Sequence, residues 1–431
     1  MNTKAFLTEL FLTGIEAVKP ENLIPEHLSV NGKFLTINGK NFSVEKGFYL
    51  FGSGKASIQM AKSVEKLLGD YIKEGIVVCN YTEKLKKTEV IKGSHPVPDE
   101  NSVKGAEILL QKLSSLKEDD FFIYLLSGGS SALIEKPIPP ITLKDLKQTT
   151  QLLLENSVPI EEINIVRKHL SMIKGGRLGR ATKAKGVVLV ISDVVGDDLF
   201  TIGSAPLYYD PSTYQQARDI LKKYNLWKKI PATVKDVIRQ GIEGKIPETP
   251  KKENPNIKHY IIGNNLTALK KIKQKAEKKF PTFIMTSQIK GEAREVAKVL
   301  ISIAKEIKNS GNPFKTPVLL LFGGETTVTV RGKGKGGRNQ ELCLSALQEI
   351  KDTKGITILS GGTDGIDGNS DAAGAVVDWN TSAIAKELNL DINQYLSNND
   401  SYSFFSKTDS LIKTGYTGTN VMDITIIMVE G

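Results

Sequence analysis

The chain has 431 residues, 40% of them apolar and 25% charged, a size and balance that predict two or three packed domains and exclude wholesale disorder and fibrous repeats. Its formal charge of +10 comes from lysines mixed with acids on helix-like stretches such as 270–279, the pattern of a solvated face, so no nucleic-acid partner is expected. No apolar run approaches the roughly 18 residues of a membrane span, and Cys79 and Cys343 cannot build a disulfide framework, so a cytoplasmic protein with no membrane partner is expected.

The first predicted element is a helix. Phe6, Leu7, Leu10, Phe11 and Ile15 follow helical spacing, and Glu9 and Glu16 interrupt the stretch, which suits a core-facing helix and not a signal peptide. A pattern then recurs along the chain. Apolar runs at 48–51, 121–126, 187–191, 259–262, 318–322 and 356–359 each end abruptly in Gly, Ser, Asn or Asp. Such runs are strands buried on both faces, and helix-period segments such as 58–68 and 266–278 follow them. The fold class expected is α/β: two three-layer α/β/α domains with largely parallel, Rossmann-like sheets. Ligands of such folds bind beyond the carboxyl ends of the strands, where all six polar clusters lie. The stretch 241–258 is rich in Gly and Pro and poor in apolar residues, and reads as a linker between an N-terminal domain (1–240) and a C-terminal one (259–431).

The polar clusters carry the chemistry. Gly52-Ser53-Gly54-Lys55 offers backbone N–H groups at a helix start and one ammonium, both suited to an anion. It fails as a P-loop, because Tyr49 and Ala56 stand where Gly and Ser or Thr are needed. A dinucleotide reading is weakened, since the next strand ends in Asn80 and not in an acid. Ser127-Gly128-Gly129-Ser130-Ser131 makes a plausible phosphate cradle. Asp193, Asp197 and Asp198 follow another buried strand, and carboxylates there suit Mg²⁺. Asp364, Asp367 and Asp371 add carboxylates in a turn-rich loop that lacks the glycine and glutamate of a calcium loop. His95 lies in a Pro-rich turn. Gly332 to Gly337, with Lys333 and Lys335, leads through Arg338 into a helix, a segment suited to a polyphosphate or small carboxylate. Only eight of the 58 basic residues are Arg, and Arg167, Arg177, Arg180, Arg331 and Arg338 cluster in two Gly-rich segments, as expected where a planar fork is needed.

Taken together, 52–57, 94–99, 126–132, 166–171, 192–199, 203–205 and 337–341 resemble the glycerate 2-kinase family, and Gly362-Thr363-Asp364-Gly365 and Thr417-Gly418-Thr419-Asn420 resemble its C-terminal MOFRL module, expected at about 315–425. The resemblance covers nearly the whole chain. It implies ATP-dependent phosphorylation of D-glycerate at the 2-hydroxyl, with Mg²⁺, in a cleft between two α/β domains. It implies Lys55 and Arg338 as prime catalytic positions, with an acid from the Asp193–Asp198 segment, Asp193 or Asp197. Nucleotide phosphates are expected at Gly52, Ser53, Gly54 and Ser127 to Ser131, and glycerate at Lys55, Arg338, His95, Glu325 and Asn339. Mg²⁺ is expected at Asp193, Asp197 and Asp364. A monomer or homodimer is expected. Family members have also been labelled hydroxypyruvate reductases, so NAD(P)H-dependent reduction is the alternative, and a nucleotide or anion sensor without turnover is a third.

Overall fold

Five of the six apolar runs become strands buried along nearly their whole length, as the sequence pattern predicts, whereas the run at 259–262 becomes a half-buried strand. The computed structural model describes residues 2–431. Two units are distinguished: an N-terminal unit of Leu23–Ser192 and Asp197–Ile262, and a C-terminal unit made of residues up to Asn22, Asp193–Gly196 and Gly263–Gly431.

The N-terminal unit begins with a small antiparallel sheet of β1 (Leu28–Asn31), β2 (Phe34–Ile37) and β3 (Lys40–Ser43). Its main sheet holds β4 (Phe48–Ser53), β5 (Ile72–Cys79), β6 (Thr88–Lys92), β7 (Phe121–Leu126), β8 (Lys185–Ile191) and β9 (Ile257–Gly263) in the order β6-β5-β4-β7-β8-β9. The pairs from β6 through β8 are parallel. The chain runs outward from β4 through β5 to β6, then returns to start again at β7 on the other side. The strand order therefore reverses between β4 and β7, and the crevice beyond their carboxyl ends is the topological switch point. Every residue of β7 is buried, as are all but one of β4.

The C-terminal unit departs from the expected parallel sheet. β10 (Thr282–Ile289), β11 (Val318–Gly324), β12 (Ile356–Gly362), β13 (Gly374–Val377), β14 (Leu411–Ile412) and β15 (Asp423–Val429) take the order β10-β11-β15-β12-β13-β14. Only β10 and β11 are parallel; every other pair is antiparallel. The last strand, β15, inserts antiparallel between β11 and β12, a long-range pairing that apolar runs do not encode, because parallel and antiparallel buried strands look alike in sequence. Its register sets Asp423 opposite Gly324 on one side and Gly362 on the other.

Two domain boundaries also shift. The helix Thr3–Ala17 forms in the C-terminal unit, and its Phe11 ring lies so close to Gly361 of β12 that a Cβ there would stand 2.6 Å from Phe11 Cζ. The stretch 241–258 is not a free linker. Pro247 O accepts a hydrogen bond from Arg177 (3.0 Å), Glu248 accepts from the Tyr214 N–H (2.9 Å), Thr249 donates to Asp210 (3.1 Å), and β9 joins the main sheet. Polar contacts hold this segment, so its lack of apolar residues misleads. No helix among the described residues is long and apolar enough to cross a membrane. Phe11 is fully buried, so Phe11→Ala should destabilise the full chain by about 3–5 kcal/mol in urea unfolding; a loss under about 1 kcal/mol would show that the first helix is peripheral.

Candidate active site

In the N-terminal unit, the two loops at the switch point are stitched together. Ser53 Oγ lies 2.7 Å from the Tyr124 hydroxyl and 2.5 Å from Ser130 Oγ. The Ala56 N–H donates to Ser127 Oγ (3.0 Å), and the Lys55 N–H donates to Gly128 O (2.8 Å). Close approach explains the glycines. Gly54 has φ +130°, and a Cβ there would fall 2.2 Å from Ser127 Oγ. Gly129 has φ +81°, and a Cβ there would meet His95 Cδ2 at 3.0 Å and Lys55 Cγ at 3.1 Å. Lys55 and His95 thus stand over the second Gly of the turn. The helix Ser57–Leu68 carries no side-chain cap at its N-terminus; its Ser57 N–H goes to Gly54 O (3.1 Å), and the positive end of the helix and the Lys55 ammonium both favour an anion here. Burial, with the charge of Lys55, pushes the His95 imidazole down to about 4. It is neutral near pH 7, and Lys55 supplies the positive charge.

Beside this turn, Ser131 Oγ lies 2.7 Å from Ser204 Oγ, and Arg167 Nη2 donates to Ser131 O (3.0 Å). The other arginine of that segment, Arg177, is structural: it donates to the carbonyls of Lys168, Ser171 and Pro247 and to the Tyr214 hydroxyl.

In the C-terminal unit, Arg338 opens the helix Arg338–Ile350. Its Nε and Nη2 make a two-pronged pair with Asp423 (2.6 and 3.0 Å), and its Nη1 reaches Glu325 (2.7 Å). The fork expected to hold substrate is thus already engaged by a carboxylate at the start of β15. Burial raises the Glu325 carboxyl; Arg338 opposes that shift, while Asp423, Asp193 and Asp364 add to it.

Asp367 holds the first turn of this helix. Its oxygens accept from the N–H groups of Asn339 (3.1 Å) and Gln340 (2.9 Å) and from both side-chain amides. Asn339 Oδ1 accepts from Ser360 Oγ (2.7 Å). Asn339, expected to touch glycerate, is instead turned inward and buried.

The glycine-rich segment before Arg338 is neither a mobile loop nor an open anion cradle. The N–H groups of Arg331 and Gly332 go to Asn399 Oδ1, that of Lys333 to Asn398 Oδ1, that of Gly334 to Asn398 O, and that of Lys335 to Asp400 Oδ1. Lys335 Nζ sits 3.9 Å from the Tyr402 ring centre and 3.7 Å from Asp371. The glycines permit close packing on 398–401: a Cβ on Gly332 would stand 2.2 Å from Asn398 O.

Among the described residues, no group of three or more His, Cys, Asp or Glu is placed to hold a metal ion. Asp193 is counted with the C-terminal unit and Asp197 with the N-terminal unit. Sequence reasoning missed Asp423 and Tyr124. Asp423 carries a weak signal, a carboxylate heading a wholly apolar strand; Tyr124 carries none, since it reads as one more apolar residue of β7.

These features define a class: α/β proteins in which an anion-receiving turn stands at the switch point of one sheet and an arginine–carboxylate cluster at the strand ends of another. The chain belongs to the glycerate 2-kinase family. A family model described as a domain of unknown function (DUF4147) matches residues 6–239, and the MOFRL family model matches 318–423. The chain is 41% identical to a glycerate 2-kinase of Pyrococcus horikoshii, with 96% of this chain and 94% of that protein covered. It is 40% identical to a D-glycerate 2-kinase of Thermotoga maritima, covering 99% and 98%. A crystal structure of glycerate kinase from Thermotoga maritima superposes with a TM-score of 0.88 at 40% identity, over 99% of each chain.

Burial, aided by Asp423, raises Asp367 to about 6. Between its ordinary range near pH 4 and this value, the folded protein keeps a proton that the unfolded chain has lost, so the stability from this group is present at pH 4 and lost as pH rises through about 6. Asp367→Asn removes the titration. The difference in Tm between variant and wild type should move in the variant's favour from pH 4 to pH 7; a difference flat across that range would refute the assignment.

Proposed function

We propose that the protein transfers the γ-phosphoryl group of ATP to the 2-hydroxyl of D-glycerate, giving 2-phosphoglycerate and ADP. The observation that carries this reading is the stitched switch-point turn that holds Lys55 over Gly129, in a chain of this family. Phosphoryl transfer asks the protein for positioning and charge stabilisation more than for covalent chemistry. The 2-hydroxyl oxygen bonds to the γ-phosphorus, the bond from that phosphorus to the β–γ bridging oxygen breaks, and the hydroxyl proton passes to a carboxylate. Lys55 neutralises charge on the transferring phosphoryl. The Gly54 and Ser127 N–H groups are given to Val78 O and Ser53 O, so Gly52 to Gly54 and Ser127 shape the turn, and the donors of Gly128 to Ser131 orient phosphate oxygens. Neutral His95 donates or accepts a hydrogen bond without adding charge. Asp193 or Asp197 takes the proton. Arg338, anchored by Asp423 and Glu325, supplies positive charge toward glycerate and keeps Glu325 oriented.

The carboxylates around Arg338 fit a hard divalent cation. The donors are all oxygen; burial raises Glu325, and Asp423, Asp193 and Asp364 add to that rise. Mg²⁺ takes one or two protein carboxylates beside phosphate and water, so a ready-made three-carboxylate site is not required. Asp364 and one of Asp193 and Asp197 are the side chains proposed to hold it, the other of that pair taking the proton, and it would neutralise phosphate oxygens. Hydride transfer from a nicotinamide is disfavoured, because β5 ends at Cys79-Asn80 without the carboxylate that holds the ribose.

Incubation with ATP, Mg²⁺ and D-glycerate should yield ADP and 2-phosphoglycerate, resolved from the 3-isomer. NADH oxidation with hydroxypyruvate and no ADP would overturn the kinase reading. Lys55→Met should keep the fold and lower kcat at least about 100-fold; near-normal turnover would remove the role given to Lys55. Arg338→Lys keeps the charge but loses the fork onto Asp423. It should cost about 1.5–3 kcal/mol in kcat/KM, whereas Lys333→Arg should be nearly silent. Retention of most activity by Arg338→Lys would reduce this group to a diffuse field.

A further inference from the structure

Arg167 lies on the helix Ile160–His169, beside the switch-point turn, and its bonding is unlike that of its neighbour Arg177. Arg177 makes four hydrogen bonds through two guanidinium nitrogens. Arg167, among the described residues, makes one, from Nη2 to Ser131 O, while its Nε is buried with no partner. A guanidinium carries five donors, and desolvating them without acceptors is unfavourable.

The surrounding charge does not balance either. Burial disfavours the charged form of Arg167, and the one carboxylate opposing that effect is Glu135. Glu135 is fully buried and already occupied: its Oε2 lies 2.6 Å from Lys174 Nζ, and its Oε1 accepts from the Lys136 N–H at 3.0 Å. Two cations thus share one carboxylate, and the place is short of one negative charge. A buried charge normally has its own partner.

The wall next to Arg167 has the features of a binding face. The Ser131 and Ser204 hydroxyls lie 2.7 Å apart there. Gly203, Ser204 and Ala205 all have positive φ (59°, 61° and 53°), a strained run that two non-glycine residues adopt only when the surroundings impose it. Strain, hydroxyls and an under-bonded guanidinium thus meet at Ser131 and Ser204.

We propose that Arg167, with Ser131 and Ser204 beside it, receives an oxyanion of a reactant, either the carboxylate of D-glycerate or a phosphate of the nucleotide. This rests on the kinase reading above. The guanidinium fork matches the geometry common to both groups, and either supplies the missing negative charge.

The test uses the full chain and its variants Arg167→Met and Arg167→Lys. Steady-state KM values for D-glycerate and ATP are measured, with calorimetric binding of D-glycerate and of ADP as turnover-free probes. One reactant should lose at least about tenfold in affinity in Arg167→Met, the scale of a charge-assisted hydrogen bond, with partial recovery in Arg167→Lys. Tm should hold or rise as the under-compensated charge is removed. A selective loss for D-glycerate assigns the carboxylate; a selective loss for ATP and ADP assigns the phosphate. Affinities that all stay within about twofold, or that all fall together with Tm, would overturn the receptor. Probe binding by a wild type that shows no phosphorylation, abolished in Arg167→Met, would uphold the receptor and sink the kinase reading; a wild type that binds neither probe would end both.

Discussion

The pair between Arg338 and Asp423 organises the C-terminal unit. Asp423 heads the central strand β15, so its position is set by two backbone ladders at once, to Gly324 and to Gly362. The guanidinium that grips it with two bonds is therefore fixed to the sheet itself and not to a loop. Glu325, one residue beyond β11, then meets the remaining edge of the same group. Glycine is needed around this cluster because backbone and carboxylate approach closely: a Cβ on Gly337 would stand 2.4 Å from Asp367 Oδ1. Removing Arg338 would leave the buried Asp423 carboxylate without its partner, which costs far more than the pair itself contributes.

The two units differ in how their buried charges are paired. In the N-terminal unit, Lys55 stands beside His95, and Arg167 and Lys174 both face Glu135. In the C-terminal unit, Arg338 is held by Asp423 and Glu325. The neutral state of His95 fits its place, since a second fixed charge beside Lys55 would add repulsion without adding a donor.

The glycine-rich segment before Arg338 shows how a motif can be read correctly in place and wrongly in role. Its glycines and lysines suggest open amides for phosphate. The structure turns those amides onto Asn398, Asn399 and Asp400, some 65 residues later, and uses the glycines for close packing. Asn339 follows the same logic: a polar residue beside a catalytic candidate serves the core of its own unit.

Local chemistry was legible in the sequence. Buried strands are uniformly apolar, their ends are abruptly polar, and helices show their period, because each property depends on neighbours within a few residues. That sufficed to expect an α/β protein, to place Lys55, Ser127 to Ser131 and Arg338 at strand or helix ends, and to recognise the family from ordered motifs. The antiparallel place of β15, the return of the helix Thr3–Ala17 to the C-terminal unit and the anchoring of 241–258 were decided only by tertiary structure. So were the partnership of Arg338 with Asp423, 85 residues away, and the under-bonded state of Arg167. These depend on pairings between distant segments and on which donors find acceptors after packing, and the free energy of such contacts is written in no single stretch of chain.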